Sequence, residues 1–336
     1  MVQTVLVTGV SGYIGLHVAQ QLLDAGYAVR GSVRNQAKAL EVQKTLADAK
    51  ANTDLLSCCQ LDLLKDDHWD EAVKGCNYVM HVASPYVIAN PKHEDELIGP
   101  AVDGTLRVLK AAKKAGVKRV VLTSSIVAMM GGMTEGTFGP TRWTDPESPA
   151  INTYTKSKTL AEKAAWDFVN NQTQDTAMDM VSVNPGGVFG PPLGRVITGQ
   201  SMAMIAKMLG GKLPLLPSIS IPMVDVRDVA ALHLLAMTAE GVVGKRLIAA
   251  QSKATAFVEI AHILKAAGYK KPSTLIAPNW LFRLATLFDA EARGSLGMLD
   301  AHLDADTSET VALLDFQPRS LKDSLIDTAL VVKTLI

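Results

Sequence analysis

Apolar positions along the first half of the chain follow two alternating rhythms. Short, nearly continuous apolar runs at residues 4–8, 28–33, 55–61, 78–82, 119–123 and 179–183 read as strands. Between them, apolar residues return at helical spacing. Ile14, Val18 and Leu22 precede Gly26, and Leu97, Ala101, Leu109 and Ala112 precede Gly116. Helices are predicted over 37–49, 69–74, 94–115 and 153–170 as well. Strand and helix in strict turn predict a parallel sheet covered on both faces. Runs such as Val79-Met80-His81-Val82 and Val120-Val121-Leu122 lack the polar alternation of a half-exposed sheet, which agrees with that burial. Right-handed crossovers then give an α/β fold with a doubly wound, Rossmann-type sheet.

The rhythm breaks after Asn184. Gly and Pro crowd residues 185–194 and 210–222, and helical segments follow at 201–209, 226–239 and 257–267. The expected organisation is a dinucleotide-binding domain over 1–185 and a mainly substrate-binding lobe over 186–336, with elements near 223–250 returning to the sheet.

Composition narrows the partners. Lys+Arg and Asp+Glu both count 33 in 336 residues, so no net charge recommends a nucleic acid. The three cysteines, Cys58, Cys59 and Cys76, are too few and too oddly placed for a disulfide framework or a zinc site, and point to a reducing, cytoplasmic setting. No signal-peptide pattern opens the chain, and no uncharged stretch reaches membrane-spanning length. A soluble monomer or homodimer acting on a small molecule is the expectation, with no metal.

The chemistry lies in two motifs. Thr8-Gly9-Val10-Ser11-Gly12-Tyr13-Ile14-Gly15 joins the first strand to the first helix. In such a loop the first glycine makes the tight turn, the second admits a pyrophosphate, and the third lets helix pack on strand. The free N–H groups of the helix end receive the anion. The second strand ends in Arg34-Asn35 without a carboxylate to grip both ribose hydroxyls. An arginine there suits a 2′-phosphate, which predicts NADP(H), with Lys38 as a second phosphate partner opposed by Glu41. Asp62, ending the third strand, reads either as an acceptor for the adenine amino group or as an ordinary turn residue.

Tyr154 and Lys158 stand four apart on a predicted helix and share a face. A neighbouring ammonium lowers a phenol from about 10 by about 1–3 units and makes it a usable acid or base. Thr123, Ser124 and Ser125 end the fifth strand at the carboxyl edge where such sheets bind ligands, so one of the serines is placed to hold a substrate oxygen. Leu160, Ala164 and Phe168, on the helix's other face, are expected to pack on the sheet.

These segments, with VRGSVRN, KGCNYVMHVASP, KRVVLTSSI, YTKSKTLAEKAAWDF, NPGGVFGP and MVDVRDVA, resemble the extended short-chain dehydrogenase/reductase family over nearly the whole chain. The nearest branch holds dihydroflavonol reductases, cinnamoyl-CoA reductases and aldehyde or ketone reductases. The resemblance implies Ser125 as the catalytic serine, Tyr154 as proton donor and Lys158 as its partner. It implies Asp62 and Leu63 at the adenine, Val82, Ala83 and Ser84 along the cofactor, and Pro185, Gly187 and Val188 beside the nicotinamide. Met130 stands where a dihydroflavonol reductase has an asparagine, so Met129 and Met130 are expected as an apolar substrate wall. The NWCY-like string of cinnamoyl-CoA reductases is missing. An NADPH-dependent carbonyl reductase is therefore the leading reading. A nucleotide-sugar epimerase or dehydratase that retains NAD, a hydroxysteroid dehydrogenase and a non-catalytic cofactor sensor are the alternatives.

Among the remaining residues, His81 reads as a buried structural histidine. Asp228 is expected to cap the helix after Asp225 while Arg227 pairs with a carboxylate. Trp143, Met202, Met208, Phe282 and Phe288 are expected mostly in the core.

Overall fold

A computed structural model of the chain describes residues 2–84, 93–173, 177–194 and 199–336. Pro85, which closes the KGCNYVMHVASP segment, lies outside these. The first half runs β1 (Thr4–Thr8), α1 (Tyr13–Asp24), β2 (Ala28–Val33), α2 (Gln36–Asp48), β3 (Leu56–Gln60), α3 (Trp69–Val73), β4 (Tyr78–His81), α4 (Asp95–Lys114), β5 (Arg119–Thr123), α5 (Val127–Met130), β6 (Glu135–Phe138) and α6 (Thr153–Asn170). The second half runs β7 (Asp179–Pro185), β8 (Gly187–Phe189), α7 (Gln200–Gly210), β9 (Ser220–Asp225), α8 (Val226–Thr238), β10 (Arg246–Ala249), β11 (Ala254–Ala256), α9 (Phe257–Ala266), α10 (Asn279–Ala285), α11 (Ala290–Gly294), β12 (His302–Ala305), α12 (Ser308–Leu314) and α13 (Leu321–Lys333).

Seven strands form one parallel sheet in the order β10-β7-β5-β4-β1-β2-β3. The chain winds outward from β1 through β2 to β3, then crosses to β4 on the other side. The carboxyl ends of β1 and β4 thus border the crevice where doubly wound sheets bind ligands. One face of the sheet packs Val18 and Leu22 of α1 with Val229 and Leu232 of α8. The opposite face packs Leu109 and Ala112 of α4 with Ala165 and Trp166 of α6.

The sequence pattern does not reveal the second sheet, β11-β9-β12-β6, with β8 added alongside β9. Its short strands pair across long separations, as Glu135 with His302, and β6 begins Glu135-Gly136-Thr137, three exposed residues. Local periodicity carries no trace of such a pairing. This sheet and α5 enclose Ile126, Met129, Met130, Phe138 and Leu303. A further core joins Met202, Ile205 and Met208 of α7 to Ile260 of α9 and Leu325 of α13.

Three local expectations are corrected. The cap of α8 is Asp225, not Asp228: Asp225 accepts from the Arg227 backbone N–H at 2.8 Å and from the guanidinium at 2.9 and 2.7 Å. Asp228 instead binds Arg319. The buried stripe of α6 is Ser157, Lys158, Ala161, Glu162 and Ala165; Phe168, though half-buried, packs against the core on this sheet face as expected, while Leu160 and Ala164 do not join it. Phe288 leaves the core altogether, at 87% exposed. Met202 and Met208 are fully buried, and Trp143 lies against the Arg246 guanidinium at 3.6 Å.

Asp225→Ala removes a cap and charge-assisted bonds together, and is expected to lower the unfolding free energy by about 2–4 kcal/mol. Asp225→Asn keeps an acceptor for the Arg227 N–H and is expected to lose less. Urea denaturation of the two variants separates the contributions.

Candidate active site

A cleft of about 990 Å³ opens at the carboxyl ends of β1, β4 and β5. It is lined by Gly9, Ser11, Gly12, Tyr13, Ile14 and Gly15, by Arg34, by Asp62 and Leu63, and by Val82, Ala83 and Ser84. Thr123, Ser125, Tyr154, Lys158, Pro185, Gly187 and Val188 complete the wall next to them. Residues far apart in sequence thus share one cavity.

The loop after β1 needs its glycines for steric reasons. Gly9 has φ +66, and a Cβ there would lie 2.9 Å from the Ala83 Cα. A Cβ at Gly15 would lie 2.3 Å from the Gly9 carbonyl oxygen. Gly12 begins α1 without a side-chain cap, which leaves first-turn N–H groups for an anion. Tyr13 fastens the loop to the lobe by donating to the Gly190 carbonyl at 2.7 Å. Burial, followed by the Asp225 charge, pushes its phenol well above the usual range, so it stays protonated and keeps that bond.

Arg34 is exposed at the cleft wall and makes no ion pair or hydrogen bond among the described residues. Asn35 caps α2 by accepting from the Lys38 N–H at 3.0 Å. Lys38 lies off the cleft wall and is held by Glu41 at 2.6 Å, so its expected phosphate contact competes with that pair. Asp62 accepts from the Leu64 N–H at 3.0 Å, a turn contact, while facing the cleft. A loop of glycines, an uncapped helix end and a free guanidinium in one cavity fit a phosphorylated dinucleotide.

The two serines after β5 divide their roles. Ser124 donates to Glu162 at 2.6 Å and is committed to the interior. Among the described residues the Ser125 hydroxyl accepts only a long 3.4 Å contact from the Val127 N–H, which leaves its proton for the cleft. Tyr154 and Lys158 come from the first turns of α6, which Asn152 caps by accepting from the Thr155 N–H at 2.8 Å. Lys158 is 7% exposed, and burial lowers its amine to about 8 against the upward pull of Glu162. His81, behind it, bonds Thr8 at 2.8 Å; burial and then the Lys158 charge hold it near 3.

The Met129–Met130 wall is not found. Both side chains lie in the core under the second sheet and do not reach the cleft. The apolar part of the cleft is built by Met202, Met204, Leu213, Ile219, Phe257 and Phe282. Glu162 and Arg246 were missed as well. Glu162 follows Lys158 by one more helical turn on the same face, and that spacing is the signal available. Arg246 opens a short edge strand and carries no such mark.

A profile of the NAD dependent epimerase/dehydratase family matches residues 5–250. The NADPH-dependent methylglyoxal reductase of Saccharomyces cerevisiae is 30% identical over 97% of this chain and 97% of its own length. A cinnamoyl-CoA reductase of Medicago truncatula is 36% identical over 78% of this chain and 79% of its own. The crystal structure of the yeast methylglyoxal/isovaleraldehyde reductase complexed with NADPH superposes with a TM-score of 0.80 at 28% identity, over 99% of this chain and 100% of that one.

Three buried histidines set an acid limit. Burial lowers His81 to about 3, and His17 and His233 to about 4, from 6.5. The unfolded chain binds more protons than the folded one between those values and 6.5, so stability falls as pH falls through that window. Chemical denaturation is expected to show a slope that steepens from pH 7 to about pH 5, toward the uptake of nearly three protons on unfolding, and eases near pH 4 where His17 and His233 begin to protonate in the folded chain.

Proposed function

The chain belongs to the NAD dependent epimerase/dehydratase family, the extended short-chain dehydrogenases/reductases, and from that premise we propose an NADPH-dependent reductase of aldehydes and ketones. One observation carries the reading: Ser125, Tyr154 and Lys158 wall the same cavity as the glycine loop and Arg34. NADPH supplies the hydride. The glycine loop and the α1 end take the pyrophosphate, and Arg34 takes the 2′-phosphate by charge-assisted bonds. Ser125 donates to the carbonyl oxygen and fixes its position. Tyr154 gives its phenolic proton to that oxygen as the C–H bond forms. Lys158 holds positive charge beside the phenol and so favours that transfer. We assign 1–185 to cofactor binding and 186–336 mainly to substrate binding, with 223–250 returning to the sheet. Three free thiols support a cytoplasmic setting. Among the described residues no helix is long and apolar enough to cross a membrane.

A spectrophotometric screen of NADPH and NADH oxidation against aldehydes, ketones and α-keto esters tests the reading. Turnover with NADPH is expected, whereas NAD retained through purification would favour an epimerase. Tyr154→Phe is expected to lower kcat by about 10²–10⁴ with little change in NADPH affinity. Arg34→Ala is expected to weaken NADPH binding about 10–100-fold and to leave NADH turnover nearly unchanged, read by titration of each coenzyme.

A further inference from the structure

The buried carboxylate of Glu162 touches every segment that carries the reacting groups. It lies one turn beyond Lys158 on α6, with its side chain fully buried. Arg246 of β10 grips it through two bonds, Nε to Oε1 at 2.8 Å and Nη2 to Oε2 at 3.0 Å. Ser124 donates to it at 2.6 Å, Ser182 at 2.9 Å and Asn184 at 2.9 Å. The same Asn184 amide donates to the Ser125 carbonyl at 3.2 Å. The third nitrogen of Arg246 holds the Pro140 and Arg142 carbonyls at 2.9 and 2.7 Å, in the segment between Ser125 and Tyr154. Ser125, the connecting segment and α6 are therefore referenced to one anion.

That anion also faces the amine electrostatically. Around Lys158 stand Tyr154 and Glu162 on α6 and His81 on β4, with Arg246 of β10 behind Glu162 and His233 of α8 behind Thr123. Both histidines are neutral at ordinary pH. Glu162 is the anion acting on Lys158 and opposes the burial that strips its proton. Burial taken alone would raise the carboxyl of Glu162, but Arg246 and the two serines hold it below the usual range, so the charge persists.

We propose that Glu162, clamped by Arg246, is the positioning residue of the site: it aligns Ser125 with the Tyr154–Lys158 pair and supplies the counter-charge that keeps Lys158 an ammonium. This rests on the Ser-Tyr-Lys reading above, since it assigns how that set is held and charged.

The test reads Lys158 directly and then through turnover. In ¹³C-lysine-labelled full-length protein, the Lys158 signal is identified by its loss in Lys158→Arg and titrated by NMR. Glu162→Gln is expected to move that titration down by about one pH unit or more, because an anion that favoured the ammonium is gone. The alkaline limb of kcat for NADPH-dependent carbonyl reduction is expected to move the same way, with KM changed less. Glu162→Asp keeps the charge and is expected to restore the limb at reduced kcat. If Glu162→Gln fails to accumulate, Glu162→Gln with Arg246→Met avoids stranding the guanidinium and is expected to shift the titration down as well. An unshifted Lys158 titration in the folded variant overturns the proposal, as does a loss of kcat equal at every pH. A wild-type protein inactive on all carbonyls would instead overturn the reductase reading, while the NMR titration would still decide the role of Glu162.

Discussion

One buried ion pair carries the geometry of the cleft. Glu162 and Arg246 sit where the carboxyl ends of β5 and β7, the start of β10 and the flank of α6 converge. Two charges so deep cost several kcal/mol each to desolvate, and the attraction between them repays this only when the remaining lone pairs and protons are satisfied. Here they are. Ser124, Ser182, Asn184 and Trp166 complete the carboxylate, and two backbone carbonyls complete the guanidinium. Such a network is weak evidence for stability. It is stronger evidence for uniqueness of arrangement, because moving any member by an ångström would strand the others.

The phosphate side of the cleft is fixed by a different constraint, the lack of room. Gly15 and Gly9 touch through backbone alone, and Ala83 closes over Gly9 while its N–H donates to Thr8 at 3.1 Å. The helix that follows is tied along its length to the segment after β8 and to α8. Tyr13 reaches Gly190, His17 bonds Pro191 at 3.1 Å, and Gln21 donates to the Arg227 carbonyl at 2.8 Å. The glycine loop, α1 and the segment at Gly190 and Pro191 are therefore held together by direct bonds.

The sheet was legible because its signals are local. Apolar runs and glycine stops place β1, β2, β5 and α6 within their own residues, and the order of motifs along the chain identifies the crevice. What was illegible depends on tertiary context. Which of the Ser124 and Ser125 hydroxyls is left uncommitted is decided by Glu162, thirty-eight residues after Ser124. Met129 and Met130 are apolar, but apolarity does not say which of two cores receives them; the second sheet, unseen in the periodicity, does. On α6 the usual rule inverts. The edge of the sheet beneath it is polar, so Lys158 and Glu162 turn inward and Leu160 and Phe168 are left half-exposed. Asp228 was the expected cap, yet the helix begins one turn earlier on Asp225 and Asp228 is taken by Arg319, a partner distant in sequence.

These placements together explain why proton chemistry concentrates at one point of a cavity that is otherwise mostly apolar or neutral. His81 and His233 stand close to the reacting groups, yet burial keeps both uncharged at neutral pH, and each is spent on a threonine hydroxyl. Neither competes for a proton near pH 7. Lys158, by contrast, is lowered only to about 8, because the carboxylate one turn away offsets part of its burial. An amine poised there is still mostly protonated at neutral pH, but its charge responds to what is bound beside it. Burial that silences the histidines therefore leaves Lys158, beside Tyr154 on the cleft wall, as an amine that still titrates near neutral pH. Met202, Met204, Leu213, Ile219, Phe257 and Phe282 give the cleft its apolar wall, with Lys207 set among them.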